Sequence, residues 1–278
     1  MTWKSLAAVD RRVIFAILIA GILLPMVFPM KLPIAVTPEV QSVYDRIEAL
    51  QKGDTIMLTM EYDPSTLAEM QPMTYNMLRH VFRRGVRVVA VCLFTTGVSQ
   101  VEQDLKKIAD ESGKKYGEDY VYLGYKPYPA IVITALGQDF RNPFPKDYYG
   151  TPTDDIPMMK GIKNFSSVKL VLSVNATSGV DFWLQYGQSR YRFPLAMGMT
   201  AVMASDYYTY VQSGQLVGLI GGLKGAAEYE RLMHDDNGNA TRIMNIQSVV
   251  HCIVVGFIVI GNVAFLMSGG KFRVGGRA

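Results

Sequence analysis

Glu61 and Asp63 stand two residues apart at the end of an apolar run, Asp54 to Tyr62 (DTIMLTMEY). Two nearby carboxylates can share acid–base work or hold a cation. The same residue types also serve as turn residues and caps at a strand-to-loop junction. Thr95, Thr96 and Ser99 follow a second apolar run, Val86 to Phe94 (VRVVAVCLF), and Asn175, Thr177 and Ser178 follow a third, Val168 to Val174 (VKLVLSV). Polar groups bunched after successive apolar runs are what an open α/β sheet uses to bind a ligand beyond the carboxyl ends of its strands. The expected ligand contacts are therefore Glu61, Asp63, Thr95, Thr96, Ser99, Asn175 and Ser178.

Other constellations carry less chemistry. The sequence has no GxSxG elbow and no HExxH pair, and the SxxK spacing of Ser166 and Lys169 has no supporting second motif. His80, His234 and His251 lie far apart along the chain, and Asp235-Asp236-Asn237-Gly238-Asn239 opens like a calcium loop without a closing glutamate. No catalytic residue, metal ligand or cofactor is assigned. Gly218 to Glu228 (GLIGGLKGAAE) matches neither GxxxxGK[ST] nor GxGxxG. Read as one helix, it places small residues on one side and lets another backbone approach closely. Gly218, Gly221, Gly222 and Gly225 are thus the expected self-association residues, with anion binding at a helix start as the alternative.

These residues need elements to position them. The spacing of apolar residues predicts a helix over Pro38–Lys52, a strand over Asp54–Tyr62, a loop over Pro64–Met73 and a helix over Thr74–Arg84 ending at Gly85. A strand over Val86–Phe94 follows, then a helix to Glu111 opened by a Ser99/Glu102 capping box. Asp119–Gly124 and Ala130–Leu136 read as strands, Gly137–Lys163 as a long loop of the kind that binds ligands, and Val168–Val174 as a strand. Helices are expected over Val180–Gln188, 199–212 and Gln215–Met233, with a short strand over Arg192–Ala196. The alternation implies an α/β domain, a Rossmann-like three-layer fold around a mainly parallel sheet. Over residues 54–94 the strand, acidic and proline-bearing turn, helix and strand look like the opening of membrane-anchored ClpP/crotonase-type serine peptidases. That family's glycine-rich turn would fall at Tyr62-Asp63-Pro64-Ser65, which has no glycine, and neither its serine nor its lysine is placed.

Two segments point to a bilayer. Val13 to Phe28 (VIFAILIAGILLPMVF) is uncharged and is not followed by a small-residue cleavage site, so 13–30 is expected to be an uncleaved transmembrane helix. A second span is expected over 246–267, with Gln247, His251 and Asn262 solvated at the interface or bonded between helices. The tail 1–12 carries a net +2, the tail 268–278 a net +3, and the rest a net −1. Positive-inside bias then places both termini in the cytoplasm and the domain 31–244 outside the cell membrane. The basic pI of about 8.9 belongs to the tails, which excludes nucleic acid as a partner. Cys92 and Cys252, one in a strand-like run and one in the second span, form no disulfide framework. The expected partners are the lipid bilayer and further copies or other membrane proteins, with a small molecule as a further possibility. The expected function is an extracytoplasmic scaffold or assembly subunit that oligomerises at the membrane. A small-molecule-binding or sensory domain is the alternative, and a membrane-bound hydrolase ranks behind both.

Overall fold

A computed structural model describes residues 10–28, 30, 32–235 and 238–267. Most of the two basic tails lies outside those residues. The chain divides into two compact units, Ile34–Thr241 and the pair of terminal segments Met1–Pro33 and Arg242–Ala278.

The first unit is built on six parallel strands: β1 (Thr55–Glu61), β2 (Arg87–Cys92), β3 (Tyr120–Tyr125), β4 (Leu170–Asn175), β5 (Leu195–Met199) and β6 (Gly218–Gly221). Their order across the sheet is β3-β2-β1-β4-β5-β6. Every residue of β1, β4 and β5 is buried, as expected of strands covered on both faces. One face carries a continuous core, in which Met57, Val91, Val121, Val171 and Met197 meet α5 (Pro129–Leu136), Trp183 of α6 and Tyr207 of α7 (Ala201–Gln212). Helix α6 runs through Gly179–Phe182, a π-helical turn Trp183–Gln188 and Ser189–Tyr191. The remaining helices are α2 (Pro38–Glu48), α3 (Leu67–Arg83), α4 (Val98–Glu111) and α8 (Gly222–Leu232). Of these, α2, α3 and α8 pack together against the sheet. The result is the α/β three-layer fold with a strand order that changes direction between β1 and β4.

Several expectations need correcting. Ala130–Leu136 is helix, not strand: Pro129 fixes the first helical φ, and an eight-residue apolar run has no period to distinguish the two. Helix α3 starts at Leu67, seven residues early, and accommodates Pro72 inside it. No capping box opens α4; Gly97 is its N-cap, Ser99 is exposed, and Glu102 accepts a hydrogen bond from the Tyr149 hydroxyl at 2.7 Å. The segment Gly137–Lys163 is packed into the core through Phe140, Phe144, Ile156 and Met159, and Arg141 bonds the carbonyls of Met159 (2.9 Å) and Ile162 (2.8 Å). The segment is thus anchored to the core along its length.

The glycine-rich segment is split. Gly218 and Gly221 lie in β6, and Gly222 and Gly225 open α8, so the one-sided glycine helix does not form. These glycines make room inside the chain. A Cβ on Gly218 would collide with the Glu39 carbonyl, one on Gly221 would reach 2.9 Å from Ala204, and one on Gly222 would reach 2.6 Å from Ala201.

The second unit contains α1 (Arg11–Val27) and α9 (Asn239–Met267), whose first residues belong to the α/β unit. Helix α9 has 29 residues, a mean hydropathy of 2.5 over its most apolar window and little burial, so it is long and apolar enough to cross a bilayer. Helix α1 has 17 residues, about 25 Å, and exposes Phe15, Ile19 and Leu23. Gly21 leaves the space that Ile253 of α9 occupies.

Candidate functional site

The carboxyl ends of β1 and β4 are where the strand order reverses, and their last residues, Glu61 and Asn175, are register partners. Residues alternate across a strand, so Thr59 and Glu61 share a face with Ser173 and Asn175. These four polar side chains lie towards the carboxyl ends of the two central strands, all within the apolar layer. Burial of a carboxylate requires that its oxygens be satisfied. Glu61 Oε1 accepts hydrogen bonds from Thr59 Oγ1 (2.7 Å) and Trp183 Nε1 (2.8 Å), and Oε2 accepts one from Asn175 Nδ2 (2.7 Å). Asn175 Oδ1 in turn accepts from the Thr177 backbone N–H (2.7 Å) and hydroxyl (2.8 Å). Gly179 allows the approach, because a Cβ there would collide with Glu61 Oε2. Loss of water pushes the Glu61 carboxyl above the usual carboxylate range, and the three donors only partly offset this.

Glu61 is thus a fastener joining β1, β4 and α6, with both oxygens engaged internally. Asp63 does not join it. Its Oδ1 accepts from the Ser65 N–H (2.9 Å) and hydroxyl (2.5 Å), turning the chain into α3. The pair of carboxylates suggested by sequence spacing is divided between a buried strand end and a loop. Thr95 meets the Tyr125 hydroxyl at 2.8 Å, while Thr96, Ser99 and Ser178 are exposed with no such bond. The strand order places Thr95 and Thr96 after β2, Asp63 and Ser65 after β1, and Thr177 and Ser178 after β4 on three neighbouring loops. Helices α3, α4 and α6 begin directly after them, and none has its first N–H groups capped by the side chain of its own N-cap residue. Such groups attract acceptor oxygens and negative charge.

Sequence reasoning missed the residues that build this edge. Thr59 was findable, being two residues before Glu61 and so on its face. Trp183 and Gly179 come from a helix far along the chain. Asp104 on α4 is buried and accepts from Tyr62 (2.7 Å), Gln71 (2.8 Å), Tyr75 (2.7 Å) and Gln100 (2.9 Å), which holds α3 against α4 behind the β1 loop. Cys92 beneath this edge is no nucleophile: burial pushes its thiol up to about 12.

A third cluster has the form of an acid–imidazole–hydroxyl relay. Tyr229 of α8 contacts His80 Nδ1 at 2.7 Å, and His80 Nε2 contacts Glu48 Oε2 at 2.6 Å. Burial holds the Tyr229 hydroxyl protonated far above its ordinary range, so it donates to Nδ1. Burial also lowers the His80 pKa, which leaves a neutral imidazole donating Nε2–H to the Glu48 carboxylate. Tyr229 and His80 are wholly buried and only Glu48 reaches the surface, so the relay joins α2, α3 and α8.

No family model matches the chain, and no curated protein matches it. Among solved structures, a trehalose-6-phosphate synthase, OtsA, is matched at 10% identity and a TM-score of 0.27, over 84% of this chain and 46% of that one. The chain thus spans less than half of that protein, and at this score the likeness carries no argument.

Proposed function

We propose that this chain is a membrane-tethered binding domain that takes a small polar solute at the carboxyl edge of its sheet, across the loops after β2, β1 and β4. The observation that carries the reading is the juxtaposition of Thr95, Thr96, Ser65 and Ser178, all exposed, with the starts of α3 and α4, whose N-cap residues supply no side-chain cap; at α6 the Gly179 N–H already donates to the Thr177 hydroxyl at 3.0 Å. Hydroxyls and free N–H groups recognise acceptor-rich or anionic solutes. The turn after β1 has no glycine, so it lacks the close backbone approach that a dinucleotide pyrophosphate requires. Thr96→Ala and Ser178→Ala test this on detergent-solubilised full-length protein challenged with inorganic phosphate, a nucleoside monophosphate and free amino acids. Stabilisation by one of these that disappears in the double variant supports the reading. Stabilisation by none, or persistence in the variant, removes it.

Tethering includes α1 as a second span, a reading supported by its exposed apolar surface and by the seat that Gly21 gives Ile253. Both termini then lie in the cytoplasm and the α/β unit outside. Cysteines introduced at Ser5 and Ser268 should react only with a membrane-permeant maleimide in intact cells.

An assembly role is a second reading, favoured by Tyr128, Ile131 and Val202, which are 73%, 69% and 85% exposed. Light scattering checks it: Ile131→Lys with Val202→Lys should reduce the mass of the detergent-solubilised particle if these residues hold copies together.

A further inference from the structure

Cations gather along one edge of the α/β unit. Its strands are parallel, so every segment that leads into a strand meets the sheet at the amino-terminal edge. The starts of β2, β1, β4 and β5 are successive there, about 4.8 Å apart. They are nearly level, with Thr55 beside Arg87, Ile56 beside Leu170 and Val171 beside Leu195. At or just ahead of these starts stand Arg87, Lys52, Lys163, Lys169, Arg190 and Arg192. All but the half-buried Arg87 are exposed, and none pairs with an acid among the described residues. Carboxylates beside the row are already engaged. Glu48 holds His80 and Arg84, Asp54 accepts from the Gln51 N–H at 2.9 Å, and Asp139 and Asp154 share Arg141. The opposite edge has no such row: segments 93–97 and 176–178, after β2 and β4, carry no charge. The chain also leaves the unit on the basic side. Gly222 at the start of α8 lies against Glu69 of α3, and Tyr229 and Glu230 near its end meet His80 and Asn76. Helix α3 leads from the carboxyl end of β1 to the start of β2, so α8 beside it also ends towards the amino-terminal edge. There Glu230 takes the N–H groups of Ala240 and Thr241 that open α9, the helix able to cross a bilayer.

We propose that this edge docks on anionic lipid headgroups of the bilayer that α9 enters, with the lysines and arginines of the row against the phosphates. The attraction comes from segregation of charge. The chain between the two basic tails sums to −1, so the same cations spread evenly would draw the unit to no anionic surface. Each Lys or Arg held near such a surface strengthens association roughly fivefold, and the effect fades within a screening length. The proposal rests on the tether and not on the solute site, which lies at the other edge of the sheet.

The test uses full-length protein reconstituted into vesicles of phosphatidylcholine, alone or mixed with phosphatidylglycerol. Both contain a lipid with a nitroxide on its headgroup, which quenches a fluorophore only near contact. The fluorophore is carried on Ser166→Cys, exposed between Lys163 and Lys169, with Cys252→Ser removing the other accessible thiol; Cys92 is buried. Quenching should be about twofold or more stronger with phosphatidylglycerol, and should fall to the phosphatidylcholine level in about 1 M salt, where the screening length is about 3 Å. Lys52→Glu with Lys163→Glu and Lys169→Glu should abolish the difference between the lipids. The three glutamine variants together should reduce it, and supply the reading should the charge reversals unfold the unit. Lys126→Glu with Lys146→Glu, off this edge, should leave it unchanged. Equal quenching with both lipids, or a difference that survives high salt or the lysine variants, would overturn the proposal. So would release by inorganic phosphate beyond that by chloride of equal ionic strength, which would make the edge a site for a free anion. Flotation with the phosphatidylcholine vesicles checks the tether separately: protein that does not float there lacks a membrane helix, and the proposal falls with that reading.

Discussion

Glu61 meets three donors with two oxygens, an arrangement an amide cannot copy. In Glu61→Gln the new NH₂ group must face either Trp183 N–H or Asn175 NH₂, leaving donors opposed, at a cost of about 1–3 kcal/mol. The cost depends on pH with a definite sign. The folded pKa of Glu61 is raised, so the folded state holds its proton over a range where the unfolded chain has lost it. Its contribution is complete below the ordinary carboxylate pKa of about 4.3 and declines as pH rises through the folded value. Melting curves at successive pH values should therefore show the gap between the protein and Glu61→Gln narrowing as pH rises. His80 has the opposite dependence. Its folded pKa is lowered, so the unfolded chain takes up a proton first on acidification, and stability rises with pH up to about 6.5. Tyr229→Phe removes the hydroxyl that donates to Nδ1 and should cost about 1 kcal/mol by chemical denaturation.

Helix α8 ties together the starts of two other helices through buried carboxylates. Its buried Glu228 accepts from the Thr37 N–H (2.8 Å) and hydroxyl (2.6 Å) at the start of α2 and pairs with Lys224. Its buried Glu230 accepts from the N–H groups of Ala240 (2.9 Å) and Thr241 (2.7 Å) at the start of α9, while Asn76 of α3 reaches the same carboxylate at 3.3 Å. Carboxylates at helix starts satisfy free N–H groups and oppose the helix dipole. Glu230→Ala should cost about 1–2 kcal/mol, and hydrogen exchange should be faster at Ala240 and Thr241 than elsewhere in the unit. A substitution in the preceding strand should act by overpacking. Gly218→Val drives a side chain into Glu39 and Val43 of α2, and thermal unfolding should report a loss of about 1–3 kcal/mol or more.

Considered whole, the molecule combines an α/β unit with a helix able to cross a bilayer. Membrane fractions washed with alkaline carbonate should retain the full-length chain, since transfer of an apolar 18-residue window to water opposes release; recovery in the wash would instead mark a peripheral protein. The sequence was sufficient for the apolar C-terminal helix and for the central strands, because an unbroken apolar run needs no partner to be recognised. It also sufficed to name Glu61, Asn175 and the threonines as strand-end groups. Three features depended on tertiary contacts. Pro129–Leu136 became helix because an eight-residue apolar segment suits either state until a neighbour covers it. Gly218–Gly221 became strand because β5 offered a hydrogen-bonding edge to residues with weak strand preference. Glu61 turned inward because Trp183 and Asn175, 122 and 114 residues away along the chain, bring donors to it, and no local pattern records a contact at that separation.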